Sequence, residues 1–81
     1  MLNIKILGSG CTNCKNLEKL CNEVVAENNL DAEIEKVTDY KEIMKYGIMS
    51  TPGLVLNGKV MLSGKLPTKS TLLHWLKDAN N

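Results

Sequence analysis

The spacing of apolar residues changes along the chain, and each spacing predicts a different secondary-structure element. The segment Leu2–Leu7 is apolar at all but two positions and predicts a buried strand. From Cys14 to Val25 apolar residues recur at steps of three and four, the period of an amphipathic helix with one buried face. This helix should begin at Thr12 and fade near Asn28.

The middle of the chain predicts a second strand and a short helix. Residues 32–37 alternate imperfectly between apolar and charged side chains, as in a strand with one better-buried face. Asp39 and Glu42 have the spacing of a capping box at a helix start, and Gly47 supplies a residue suited to the left-handed conformation at a helix end. These signals predict a helix over residues 40–46.

The strongest local signal lies in the second half of the chain. Two short apolar runs, residues 54–56 and 60–62, flank the pair Asn57 and Gly58. This pair tolerates the positive φ angles of a tight turn, so the segment should form an antiparallel hairpin.

A last helix should begin at Pro67 or Thr68, which gives the element order β-α-β-α-β-β-α. Two strands joined through a helix should be parallel, with a right-handed crossover, while the hairpin adds antiparallel strands. We therefore expect an α/β fold with a mixed four-stranded sheet and helices on both faces. The 81 residues have room for one domain, residues 1–81, with a single core.

Composition excludes several kinds of partner. Ten basic and nine acidic residues give a net charge of +1, which argues against binding to nucleic acid or to an anionic membrane. The first apolar stretch is too short for a signal peptide or a membrane span. Three cysteines, an odd number, do not form the disulfide framework of a small secreted domain, so we expect a cytoplasmic protein.

Cys11 and Cys14 are the leading candidates for chemistry. They lie at the junction between the first strand and the first helix, separated by two residues. Cysteines three positions apart in a first helical turn can approach within disulfide distance, about 5.5 Å between Cα atoms. The free amides and the dipole of the helix N-terminus favour a thiolate at the outer sulfur. The pattern therefore predicts a reversible dithiol–disulfide switch.

The ordered set of motifs resembles the thioredoxin-like superfamily, and most closely its short glutaredoxin-sized members, the small redox-active disulfide proteins of bacteria and archaea. The similarity spans nearly the whole chain. Its landmarks are, in order, the strand leading to CxxC, Lys15, the run Tyr46-Gly47-Ile48, the pair Thr51-Pro52, the Asn57-Gly58 hairpin, and Gly64 before the last helix.

The resemblance implies a role for each candidate residue. Cys11 would be the attacking nucleophile, Cys14 the resolving cysteine, and Pro52 a cis-proline facing their disulfide. Thr51 would pair through its backbone with an extended substrate segment. Apart from the resemblance, the missing side chains of Gly8 and Gly10 should let the backbone turn sharply and leave Cys11 open to the close approach of a partner. The implied partners are disulfide-containing proteins and an electron donor, either a thioredoxin reductase-like flavoprotein or glutathione. We expect a monomer without cofactor or metal.

The sequence departs from thioredoxins at several positions. Gly10 replaces the tryptophan before the first cysteine, and Thr12 and Asn13 replace the Gly-Pro between the cysteines. The buried carboxylate on the strand before the motif is replaced by Lys5, which either tunes the thiols electrostatically or reaches solvent past its neighbours.

Two other classes of function also accommodate a CxxC motif. A copper-chaperone domain places CxxC at the same junction, but its order is β-α-β-β-α-β. A non-catalytic module could use the Thr51-Pro52 surface to bind peptides. A zinc site is disfavoured because the chain does not offer four suitable ligands. A nicotinamide site is disfavoured because the third glycine of the dinucleotide-binding fingerprint is missing. Cys21 is expected to pack in the core, and His74 receives no role.

Overall fold

A computed structural model describes residues 2–8, 10–48 and 50–80 of the chain. The two ends of the predicted domain, residues 1 and 81, lie outside the described residues. The elements in chain order are β1 (Leu2–Leu7), α1 (Thr12–Glu27), β2 (Ala32–Val37), α2 (Tyr40–Lys45), β3 (Gly53–Leu56), β4 (Lys59–Ser63) and α3 (Lys69–Asn80). None of these helices combines the length and apolarity needed to cross a membrane.

The four strands form one mixed sheet in the order β2-β1-β3-β4. Strand β1 pairs in parallel with β2, with Ile4 opposite Ile34, and antiparallel with β3, with Ile6 opposite Leu54. Strands β3 and β4 form the antiparallel hairpin. The predicted order and the predicted mixed sheet are confirmed.

The alternation of side chains along the strands divides the core between the two faces of the sheet. On one face, Ile4, Ile6 and Leu54 pack with buried residues of α1 and α3. On the other face, Leu7 and Val55 pack with Ile43 of α2. Helices therefore cover both faces, and α1, which follows Cys11, lies on the more extensively packed one.

Helix α2 begins and ends close to its predicted limits. The Asp39 carboxylate accepts a hydrogen bond from the Lys41 N–H at 3.0 Å, which caps the helix. In a capping box the Glu42 carboxylate would accept the backbone N–H of Asp39. This part of the prediction is wrong, because the carboxylate instead accepts a hydrogen bond from Lys45 Nζ at 3.0 Å. The last helical residue is Lys45. Gly47 follows with a φ of +75°.

The hairpin turn and the start of α3 follow local sequence chemistry. Asn57 and Gly58 have φ angles of 50° and 86°, as the hairpin prediction requires. Of the two residues proposed to open α3, Thr68 is the cap, since its Oγ1 accepts the N–H of Thr71 at 3.1 Å. The helix itself begins at Lys69.

Candidate active site at the N-terminus of the first helix

Cys11 and Cys14 are joined by a disulfide, with their Cα atoms 5.0 Å apart. Cys11 has an extended conformation and is the N-cap of α1. Its Sγ accepts the backbone N–H of Cys14 at 3.2 Å, and its carbonyl accepts the N–H of Lys15 at 3.0 Å. The first sulfur therefore lies at the positive end of the helix, against one of its otherwise unpaired amides.

The two cysteines differ in exposure. Cys11 is exposed, whereas Cys14 is only 5% exposed and shares the buried face of α1 with Leu17 and Cys21. The difference follows from the amphipathic pattern, because Cys14 begins the apolar stripe and Cys11 precedes the helix. Only the first sulfur is open to another molecule.

Gly8 makes room for the second sulfur. An alanine Cβ at this position would overlap Cys14 Sγ and would lie 3.1 Å from Cys14 Cβ. The same Cβ would lie 3.7 Å from the Cβ of Thr51, so Thr51 and Cys14 approach the same point at the end of β1. Gly8 is buried, and its missing side chain makes room for Cys14.

Gly10 fits the role given to it better. It is exposed, its φ is +91°, and no heavy atom lies within 4 Å of the position that a Cβ would take. A side chain there would be strained in this conformation. Gly10 thus turns the chain into Cys11 and leaves open space beside it.

The bond between Thr51 and Pro52 is cis, as the resemblance implied. Pro52 is buried, and its carbonyl accepts the N–H of Gly64 at 2.8 Å. Among the described residues, the backbone N–H and C=O of Thr51 have no hydrogen-bond partner. Thr51 therefore lies next to Cys14 with main-chain groups to which no described residue is hydrogen-bonded.

Comparison with known proteins agrees with this geometry. A family profile described as the thioredoxin domain matches residues 2–77. This chain belongs to the thioredoxin domain family. Two curated thioredoxins support the assignment. The one from Methanothermobacter thermautotrophicus is 38% identical over 72 residues, which cover 89% of this chain and 94% of that protein. The one from Methanocaldococcus jannaschii is 35% identical over 77 residues, which cover 95% of this chain and 88% of that protein.

Membership of the thioredoxin family and the Cys11–Cys14 disulfide together make this protein a thiol–disulfide oxidoreductase. The copper-chaperone alternative required the order β-α-β-β-α-β, whereas this chain has α2 between β2 and β3. Among the described residues, no group of three or more histidine, cysteine or acidic side chains could hold a metal ion.

Cys21, the third cysteine of this thioredoxin-family chain, is a free thiol in the core. Its exposed fraction is 0%, and burial, with a smaller contribution from Glu18, raises the pKa of the thiol to about 12. It lies seven positions after Cys14 on the same helix, a rise of about 10 Å. A Cys14–Cys21 disulfide would require Cα atoms within about 7 Å and therefore cannot form in the intact helix.

The side chain of Lys5 extends towards the end of helix α2. Its Nζ donates to Tyr46 Oη at 3.3 Å. This hydrogen bond raises the pKa of Lys5. Tyr46 packs on the face covered by α2, whereas Cys14 belongs to α1 on the opposite face. The ammonium therefore passes its neighbours to reach Tyr46.

Sequence reasoning missed one contact at the site, made by Gly8, and one on the opposite face of the sheet, made by Lys5. The contact between Gly8 and Cys14 joins the end of β1 to the first turn of α1. No local sequence pattern predicts that these two residues lie so close together. The position of Gly8 immediately after a buried strand was the available signal. The Lys5–Tyr46 hydrogen bond spans 41 positions in the sequence, and the alternation of β1 could only indicate that Lys5 faces away from Ile4 and Ile6.

Proposed function

We propose that this thioredoxin-family protein reduces disulfides in other proteins, with Cys11 as the attacking cysteine and Cys14 as the resolving one. The observation that carries the proposal is the asymmetry of the pair. Cys11 is exposed and caps α1, whereas Cys14 is buried behind it.

The surroundings of Cys11 favour a thiolate after reduction. Its sulfur accepts an N–H from the first turn of α1, and that turn contains no acidic residue. Amide donors and the helix dipole stabilise negative charge on sulfur, and no carboxylate of the same turn opposes it. Because the thiolate is the nucleophile in disulfide exchange, Cys11 is the sulfur that attacks.

The exchange then proceeds in two balanced steps. The Cys11 thiolate attacks a substrate disulfide, which forms a mixed disulfide and releases one substrate thiolate. Cys14, after losing its proton, attacks the Cys11 sulfur, which forms the Cys11–Cys14 disulfide and releases the second substrate thiolate. Two electrons pass from the dithiol to the substrate. An electron donor, either a thioredoxin reductase-like flavoprotein or glutathione, returns the protein to the dithiol.

Substrate docking uses Thr51, Pro52 and Gly10. The N–H and C=O of Thr51, to which no other described residue is hydrogen-bonded, suit an extended segment that adds to the protein as a strand does, with affinity supplied by the main chain. The missing side chain at Gly10 gives that segment access to Cys11. Pro52 fixes the direction of the chain at this point.

We place this activity in the cytoplasm, in a monomer. The free thiol of Cys21 suits a reducing compartment. The net charge of +1 offers no concentrated charge for a nucleic acid or a membrane, so the partners are other proteins.

Turnover by three matched variants tests the proposal. Reduction of a protein disulfide is followed with dithiothreitol as the electron donor for Cys11→Ser, Cys14→Ser and Cys21→Ser, each checked for folding by circular dichroism. We expect Cys11→Ser and Cys14→Ser to lose turnover and Cys21→Ser to retain it. Undiminished turnover by Cys11→Ser would refute the assignment of the nucleophile.

A further inference from the structure

The thiol of Cys14 must lose its proton before it can attack Cys11, because the thiolate is the nucleophile in disulfide exchange. Cys14 is only 5% exposed, and burial in apolar surroundings favours the neutral thiol. Bulk water therefore has little direct access to this proton. A group of the protein that accepts the proton would speed the second step of the exchange.

A small cavity connects the buried cysteine with a carboxylate. The cavity has a volume of about 60 Å³, and Cys14 and Glu18 of α1 both line it. Ile6 of β1 and Lys36 of β2 line it as well. A water molecule needs about 10–15 Å³ of such space and a few polar partners. The cavity is therefore large enough and polar enough to hold water that links the thiol to the carboxylate.

Helix geometry directs the Glu18 side chain towards Cys14. Glu18 comes four positions after Cys14 on α1, so the two side chains are neighbours on the helix surface. The Cα–Cβ bonds of an α-helix tilt towards its N-terminus, so a long side chain extends back over the preceding turn. The other acidic residues of α1, Glu23 and Glu27, lie more than about two turns beyond Cys14. Glu18 is therefore the carboxylate of this helix that can reach the thiol.

Lys36 holds this carboxylate from the neighbouring strand. Its Nζ lies 3.2 Å from Glu18 Oε2, and the Glu18 side chain is 32% exposed. The charge of Glu18 acts on the buried thiols of α1, since it adds to the effect of burial in raising the pKa of Cys21. The ion pair thus fixes a partly covered carboxylate on the same helix face as the two thiols.

The charged groups around the cavity come from two elements. Among the described residues, Lys15 and Glu18 of α1 and Lys36 of β2 are the charged residues that line it. Strand β1 and the residue after it contribute Ile6 and Gly8, which carry no charge. Both lysines are already protonated near neutral pH, so of the three charged groups only the Glu18 carboxylate can accept a proton.

We infer that Glu18 accepts the proton of Cys14 in the resolving step and returns it when the disulfide is reduced. The inference rests on the proposed function, in which Cys14 is the resolving cysteine. It assigns a further residue of this chain to the reaction.

The proton and the electrons balance in both directions. During resolution the proton of Cys14 passes through the cavity to the Glu18 carboxylate, and the Cys14 thiolate attacks Cys11 Sγ. The bond between Cys11 and the substrate sulfur breaks, and the substrate leaves as a thiolate. Glu18 then releases the proton to solvent. When an electron donor opens the Cys11–Cys14 disulfide, the carboxylic acid of Glu18 protonates the departing Cys14 sulfur.

A chromogenic disulfide separates the two steps in time. The reduced protein is mixed with the symmetrical disulfide of 2-nitro-5-thiobenzoate in a stopped-flow instrument. Attack by Cys11 releases one coloured thiolate and leaves a mixed disulfide, and attack by Cys14 on this mixed disulfide releases the second. The rate of the first phase depends on the reagent concentration, whereas that of the second phase does not. Cys14→Ser should show the first phase alone.

The variants are Glu18→Gln and, as a matched control, Glu23→Gln. Glu23 is an exposed carboxylate on the same helix that does not line the cavity. General-base catalysis typically contributes about 10²–10⁴-fold, of which water can replace a part. We therefore expect Glu18→Gln to slow the second phase by about ten-fold or more and to change the first phase by less than about two-fold. The control should match the wild type in both phases.

The pH dependence of the second phase provides an independent readout. In the wild type its rate should be nearly constant from about pH 6 to pH 8, because an ionised carboxylate is available throughout this range. In Glu18→Gln the rate should rise with pH, by up to about ten-fold per pH unit, as hydroxide replaces the carboxylate.

A purely electrostatic role for Glu18 predicts the opposite change. Removal of a negative charge beside a thiol favours the thiolate, so the second phase of Glu18→Gln would become faster. An unchanged or faster second phase in this variant would overturn the inference, as would parallel pH profiles in the variant and the wild type. Absence of the second phase in the wild type, or its persistence in Cys14→Ser, would instead refute the resolving role of Cys14 in the proposed function, and with it the inference.

Discussion

The contact between Gly8 and Cys14 predicts that a single methyl group at residue 8 shifts the redox equilibrium. In Gly8→Ala, the new Cβ overlaps Cys14 Sγ and lies 3.1 Å from Cys14 Cβ. In the oxidised protein Cys14 Sγ is fixed by its bond to Cys11 and cannot move aside. In the reduced protein the same sulfur can turn to another χ1 rotamer, which relieves the overlap.

The size of the effect follows from the cost of overpacking. Inserting a methyl group into a tightly packed site typically costs about 1–3 kcal/mol. If most of this cost falls on the oxidised form, the disulfide becomes easier to reduce, since about 30 mV corresponds to about 1.4 kcal/mol for a two-electron couple. We therefore expect the reduction potential of Gly8→Ala to be roughly 20–65 mV less negative than that of the wild type.

The assay is a redox titration against buffers of dithiothreitol or glutathione, with the dithiol fraction read from alkylation and mass spectrometry. Gly58→Ala is the matched control, because Gly58 has a φ of +86° in the hairpin turn and no heavy atom within 4 Å of its Cβ position. That substitution should destabilise both redox forms by about 1–2 kcal/mol and leave the potential unchanged. A potential for Gly8→Ala within roughly 10 mV of the wild type, equivalent to about 0.5 kcal/mol, would refute the reasoning.

Three further predictions concern Cys21 and Lys5, which do not take part in the exchange. Cys21, with a pKa raised from 9.0 to about 12, should resist iodoacetamide in the native protein at pH 8 and react only after unfolding. As the pH rises, the Cys21 thiol ionises in the unfolded chain before it ionises in the folded protein, so the free energy of unfolding falls. The stability advantage of the wild type over Cys21→Ala should therefore be complete below pH 9 and shrink as the pH rises towards 12. Urea titrations measure this advantage, and an advantage that grows in this range would contradict the prediction. Lys5→Met should leave the reduction potential of the Cys11–Cys14 disulfide unchanged, because Lys5 Nζ donates to Tyr46 on the opposite face of the sheet from α1. A shift of the potential in the same redox titration would show that Lys5 does tune the thiols.

The secondary structure could be predicted largely because its signals are local. The Asn57-Gly58 pair fixes the turn through its own φ angles, and the steps of three and four after Cys11 fix both the helix and its buried face. The exposure of Cys11 and the burial of Cys14 follow from the same periodicity. The chemistry of this site is therefore encoded in a short segment.

The parts that could not be predicted depend on contacts between distant segments. The close approach of Gly8 to Cys14 and Thr51 requires the end of β1, the start of α1 and the segment before Pro52 to meet. The exposure of Tyr40 and Met44 depends on how α2 rotates onto the sheet, which its six residues are too few to specify by periodicity alone. The Glu42 carboxylate could accept a hydrogen bond either from the Asp39 N–H or from Lys45, and local sequence could not show that it would bind Lys45.

Trapping of a mixed disulfide tests the central claim most directly. Reduced Cys14→Ser and reduced Cys11→Ser, with identical treatment, are each mixed with a disulfide-containing protein, quenched with acid and mapped by peptide mass spectrometry. We predict that Cys14→Ser accumulates a mixed disulfide on Cys11 and that Cys11→Ser forms almost none, because its two remaining thiols, those of Cys14 and Cys21, are buried. An equal or greater yield of adduct on Cys14 in the Cys11→Ser variant would contradict the account.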